Sequence, residues 1–148
     1  MILDERGEFC DATALNTGGA ASYLIGDVID LGATSRDIGT GEDLYVVIQV
    51  DTTATSGGSA TGQFHLASDA QAAIAVDGTA TYHLSTAAIA VATLVAGYTV
   101  LVARLPSGTY ERYLGILQTT AVAAFTAGKV NAFLTKDVAK WAAYADAI

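Results

Sequence analysis

The feature that most constrains this chain is a two-residue alternation of apolar and polar side chains in short runs recurring roughly every ten residues, the mark of half-buried β-strands. Residues 44–51 (LYVVIQVD) show it best. Leu44, Val46, Ile48 and Val50 fall on one face, and Tyr45, Val47, Gln49 and Asp51 on the other. Residues 61–67 set Phe64 and Leu66 against Gln63 and His65, while residues 79–85 set Tyr82 and Leu84 against Thr81 and His83. The same reading predicts strands over residues 8–15, 22–31, 89–95, 98–105, 110–119 and 129–135. Turn-forming strings separate them: GTGED at 39–43, TSGGS at 55–59, Asp77-Gly78, Ala96-Gly97 and PSG at 106–108. The alanine-rich stretches 68–75 and 120–127 are expected to be loops. About eight or nine short strands without a long amphipathic helix between them predict an all-β antiparallel fold, a two-layer sandwich or a barrel. A βαβ architecture has nothing from which to build its crossovers.

Length and charge narrow the reading further. At 148 residues the chain suits one domain, of a size that buries roughly 70% of its unfolded surface. A hydrophobic content of 52% excludes a disordered polymer, and the 15 glycines lack the three-residue period of collagen. Acidic residues outnumber basic ones by 15 to 7, for a net charge of -8, and no basic stripe is present. Phosphate binding by counterion release needs clustered Lys and Arg, so neither nucleic acid nor an anionic membrane is an expected partner. The most apolar stretch, residues 87–103, is interrupted by Thr93, Gly97, Tyr98 and Thr99 and falls short of the ~20 apolar residues of a spanning helix. Cys10 is the single cysteine and cannot close an intramolecular disulfide, and residues 1–9 (MILDERGEF) hold no run of signal-peptide length. Synthesis in a reducing cytoplasm is therefore expected.

The end of the chain has a different character. Residues 137–148 (DVAKWAAYADAI) contain good helix formers, with Asp137 as N-cap and Val138, Trp141, Ala145 and Ile148 at helical spacing on one side. The expected division is a β-sandwich domain over residues 1–136 and a C-terminal helical tail over 137–148. So short a helix is marginal in water by itself. Docking through Trp141, flanked by Val138 and Ile148 with Tyr144 at the rim, is expected, onto either a neighbour or the chain's own sandwich.

Searches for reactive chemistry return little. His65 and His83 sit in separate predicted strands without metal-ligand spacing, so structural or surface roles are expected for both. No nucleophile elbow or phosphate loop is present: Gly128-Lys129 is followed by Val130, and the dinucleotide-like string from Gly39 has Leu44 where its third glycine belongs. Asp27, Asp30, Asp37, Glu42 and Asp43 cluster in sequence and could hold calcium in a loop. Their spacing fits no EF-hand, and solvated turn carboxylates are the simpler reading. Cys10 has no cationic neighbour in sequence and reads as a small buried hydrophobe. No catalytic residue, cofactor or metal ligand is assigned.

Several strands are instead apolar on both faces. In residues 110–119, Leu114 and Ile116 oppose Tyr113 and Leu117, and in residues 98–105, Val100 and Val102 oppose Leu101 and Leu105. One face of a sandwich sheet is normally wet, so such strands lie beneath loops or under another subunit. Val46, Ile48, Val50, Val100, Val102, Leu114 and Ile116 are the expected core.

Three segments carry a family resemblance: DVIDLG at 27–32, RDIGTGEDLYVVIQVD at 36–51, and LVAGYTVLVARLPSGTYERYLGI at 94–116. In this succession the chain, from its first residues to about Asp137, resembles the small capsid cement (decoration) proteins of tailed bacteriophages. The resemblance implies a jelly-roll-like β-sandwich that forms a homodimer, binds the major capsid protein on the outer surface of an icosahedral shell, and has neither enzyme activity nor cofactor. The alternative from another class is a ligand-binding sandwich, a carbohydrate-binding or tail-associated adhesin module. Its aromatic platform is poorly supplied by a chain whose one Trp lies in the expected tail helix.

Overall fold

The computed structural model describes residues 4–138. A 3-10 turn at Glu5–Gly7, capped by the Asp4 carboxylate on the Arg6 amide, leads into nine strands among the described residues. They are β1 (Glu8–Ala14), β2 (Ala21–Arg36), β3 (Tyr45–Ser56), β4 (Thr61–Asp69), β5 (Thr81–Ser85), β6 (Ile89–Ala90), β7 (Thr99–Arg104), β8 (Tyr110–Ala121) and β9 (Phe125–Thr135). One antiparallel sheet has the order β1-β9-β3-β7, and the other has the order β2-β8-β4-β5, with β6 paired to β4. The chain changes sheet at almost every connection, so the two layers are wound together rather than stacked as separate meanders. The all-β sandwich follows from the alternation, since a strand whose residues alternate can bury only one face per sheet.

The core lies between the layers. Val46, Ile48 and Val50 of β3 meet Leu114 and Ile116 of β8, together with Phe64 and Leu66 of β4 and Val130 and Ala132 of β9. Cross-strand partners share a face, so the pairing of Ile48 with Leu101 and Ala132 turns all three inward. Phe9 and Cys10 of β1 close one corner against Gly26 of β2. That residue has φ of 69°, and a Cβ there would lie 2.0 Å from the Phe9 carbonyl oxygen. Only glycine fits.

The β2-β8-β4-β5 sheet solves the problem of its second apolar face within the chain. The β4–β5 connection, residues 70–80, folds back over the sheet, and Ile74 and Ala80 cover Leu117 and Ala67 in a small second cluster, with Leu24 and Val28 at its margin. Asp69 organises the start of that connection by accepting from the Gln71 and Ala75 amides at 3.1 and 2.9 Å.

Three expectations need correction. Val102 is 45% exposed: its partner Val47 points away from the shared core, and β7 is an edge strand with one neighbour. The inward side of β7 carries Leu101 and, just beyond the strand, the buried Leu105. A register shift between the pairs Ile48/Leu101 and Gln49/Thr99 lets half-buried Val100 touch the core as well. The run 89–95 is a strand only at its first two residues and then a 3-10 turn at Val91–Thr93, because β3 draws the chain across: the Leu94 carbonyl accepts from the Ala54 amide and, just past the run, the Gly97 amide donates to the Val50 carbonyl. The stretch 120–127 is mostly strand, with residues 122–124 alone forming the turn between β8 and β9. Alanine-rich composition suggested a loop, and cross-strand pairing overrode it.

Candidate interaction surfaces

The residues singled out for chemistry turn out to be built into the framework. His65 hydrogen-bonds Ser85 Oγ at 2.7 Å and Thr119 Oγ1 at 3.2 Å and stacks on Tyr82 at 4.7 Å. His83 hydrogen-bonds Ser68 Oγ at 2.7 Å and stacks on Tyr110 at 3.9 Å. Burial holds both imidazoles below their ordinary pKa. Cys10 is buried beside the Ile25 carbonyl, and desolvation pushes its thiol up to about 12, so it supplies no thiolate at neutral pH.

Among the acidic residues of 27–43, each of four meets its own partner. Asp30 receives a bidentate fork from Arg112 at 2.9 and 2.8 Å, which holds its carboxyl down to about 2. Asp43 pairs with Arg104 at 2.7 Å, Glu42 with Lys136, and Asp37 with the Thr40 hydroxyl and the Gly39 amide. Among the described residues no three metal-ligating side chains come together.

A different pattern organises the surface: the two ends of the sandwich differ in charge. At one end lie the Glu5–Gly7 turn, the connection from β2 to β3 with Asp37, Glu42 and Asp43, and the β4–β5 connection with Asp77, joined by Asp69, Glu111 and Arg112. Five aspartates there cap the amide two residues on: Asp4, Asp30, Asp37, Asp69 and Asp77. Tyr110 anchors this end from within, buried and donating its hydroxyl to the Pro106 carbonyl at 2.6 Å. Burial raises its pKa to about 12. Gly39 sits so close to Pro106 that a Cβ would be 2.1 Å from its carbonyl oxygen.

The opposite end holds connections 15–20, 57–60, 86–98 and 122–124, which contain no Asp, Glu, Lys, Arg or His. Neutral groups do the capping here. Asn16 accepts from the Gly18 amide at 2.8 Å, Ser56 from the Gly58 amide at 3.1 Å, and Thr53 from the Ala96 amide at 2.9 Å. Buried Gln118 pins the β1–β2 connection, accepting from the Asn16 amide at 2.9 Å and donating to its carbonyl at 3.0 Å. Val122, at the β8–β9 turn, is 76% exposed with φ of 69°. Val95, 46% exposed, lies beside an open groove lined by Thr53, Ser56, Val91 and Ala92.

Of the expected interface residues, Val138 is half-buried and follows Asp137 without regular structure. Trp141, Tyr144 and Ile148, with the rest of the expected tail helix, lie outside the described residues. Sequence reasoning passed over Val95 and Val122. The signal available to it was the run of uncharged stretches at 12–26, 52–68, 78–103 and 113–128, which lack Asp, Glu, Lys and Arg.

Comparison with curated proteins found no match. The family model Bbp16 matches residues 9–134, which spans the sandwich from β1 to the penultimate residue of β9. The chain therefore belongs to the Bbp16 family.

Proposed function

We propose that this chain is a capsid cement protein: a homodimer that binds the major capsid protein on the outer surface of an icosahedral phage shell, bridges neighbouring capsomers, and is made in the host cytoplasm. The strand order β1-β9-β3-β7 with β2-β8-β4-β5 supports reading the sandwich as a jelly roll, the double-sheet form common in capsid proteins.

One observation carries the reading. The three separated segments that resemble cement proteins converge at the charged end: Asp30 with Arg112, Asp43 with Arg104, Gly39 against Pro106, and Tyr110 onto Pro106. Residues far apart in sequence thus form one interlocked framework, and the resemblance concerns a rigid block rather than a reactive cleft. A rigid block suits a lattice, because later contacts on a closed shell form at high effective concentration and modest contacts add to firm attachment. In this reading the protein needs neither catalysis nor cofactor. A sugar-binding platform is less well supported. Tyr82, the one aromatic among the exposed large hydrophobics of the described residues, lies with its ring against His65.

Particles assembled with and without the protein test the proposal. Those lacking it are expected to lose integrity at lower temperature and on chelation. Equal resistance of the two would end the cementing role.

A further inference from the structure

We propose that the charge-free end is the contact between two copies of this chain, related by a two-fold axis; this names the surface of the homodimer in the reading above and rests on that dimer. The fold itself does not demand neutrality there. The caps made by Asn16 and Ser56 are the same two-residue turns that five aspartates make elsewhere, and a carboxylate closes such a turn as well as an amide or hydroxyl does. In water an aspartate at these positions costs little. Against another protein surface an unpaired carboxylate is costly to desolvate. Four connections without Asp, Glu, Lys, Arg or His therefore fit an end that is covered.

The charge distribution selects the occupant. With a net charge of -8, two copies meeting through most other faces oppose carboxylates. Meeting end to end keeps the carboxylates apart, since the first ones reached along β1 and β3 are Asp11 and Asp51, set back within their strands from the connections at 15–20 and 57–60, and Lys129, level with Ala14, carries the opposite sign. Val122 adds an independent point. Its backbone is in the left-handed region, unfavourable for a β-branched residue, inside a three-residue turn closed by the Ala123 amide on the Ala121 carbonyl at 2.9 Å. At 76% exposure no burial in the single chain recovers that strain, whereas a second copy seated over Val122 does. Neighbouring groups are already fixed by Ser56 Oγ donating to Ala124 O at 2.6 Å and by the Thr55 and Thr126 hydroxyls at 2.8 Å, so little freedom is lost on contact. A two-fold axis uses the same patch twice.

Sedimentation velocity of the full chain across a concentration series reads the outcome. Val122→Asp and, separately, Val95→Asp are expected to weaken dimerisation at least about tenfold, since like charges then face each other across the axis, while melting of the monomer at high dilution stays unchanged. Val76→Asp, a valine of similar exposure to Val95 in the β4–β5 connection at the other end, should leave the dimer intact. Raising salt from about 0.1 to 1 M should not dissociate the wild type, because no ion pair holds the contact. A monomeric wild type overturns the dimer itself. A dimer that ignores Val122→Asp and Val95→Asp overturns this surface while leaving dimerisation standing, and loss of shell binding alone in those variants reassigns the end to the shell. Shell binding by wild type, measured by co-sedimentation, stands or falls separately.

Discussion

The two ends of this sandwich solve one structural problem with two chemistries. Each must turn the chain several times and satisfy the amides exposed in tight connections. At the charged end the acceptors are carboxylates, assisted by half-exposed ion pairs such as Arg104 with Asp43 and Arg112 with Asp30. At the other end they are amides and hydroxyls, with Gln118 buried between strands and the β1–β2 connection. Ion pairs in solvent contribute little to stability, whereas a buried amide loses much when its partners go. The charged end should therefore depend on its aromatic anchor rather than its charges, and the neutral end on its buried polar network.

The largest expected effect tests the first half of that statement. Tyr110→Ala should cost about 3–5 kcal/mol by urea denaturation, as for other large aromatic truncations, and Tyr110→Phe only about 1 kcal/mol for the lost bond to Pro106. A near-neutral Tyr110→Ala would mean that the ion pairs hold that end after all. Next comes Gln118→Leu, expected to cost about 1–3 kcal/mol by leaving the Asn16 backbone without its partner. Hydrogen exchange should then speed up at Asn16 and Gly18 and stay unchanged around Asp37. If protection falls equally at both ends, they are not independent.

Acidification should act through the histidines. Because burial lowers both pKa values in the folded state, the unfolded chain binds protons first, so stability is full above pH ~6.5 and declines as pH falls below it. Replacing both His65 and His83 by Gln should flatten the melting temperature between pH 7 and 5, taken as roughly the histidine range. A slope that survives in the double variant would place the titrating groups elsewhere.

In the monomer at high dilution, Val122→Gly should be neutral or stabilising by up to about 1 kcal/mol, the relief of a left-handed valine partly offset by glycine's entropy. The smallest effect belongs to Arg112→Gln. Asp30 is held to about 2 by that guanidinium, so the pair's contribution is present above the ordinary carboxylate pKa and is lost as pH falls from about 4 to 2. The variant should melt close to wild type at neutral pH and differ from it less in high salt. A large loss there would contradict the low weight given to exposed pairs.

By itself the sequence determined the strands and the inward face of most of them, because a period of two leaves a residue such as Ile48 or Ile116 only one side on which to be dry. It also carried the uncharged stretches and the turn residues, Gly39 and Pro106 among them, as local facts. Tertiary structure alone decided three things. Whether an apolar outer face stays wet depends on what crosses it: Leu117 is covered because a distant connection brings Ile74 over it, while Val102, on an edge strand of the described residues, is left 45% exposed. Whether 120–127 loops or pairs depended on β3 and β4 offering partners. And four uncharged stretches became one uncharged end only because antiparallel pairing returns every second connection to the same side, a consequence of strand order that no local pattern encodes.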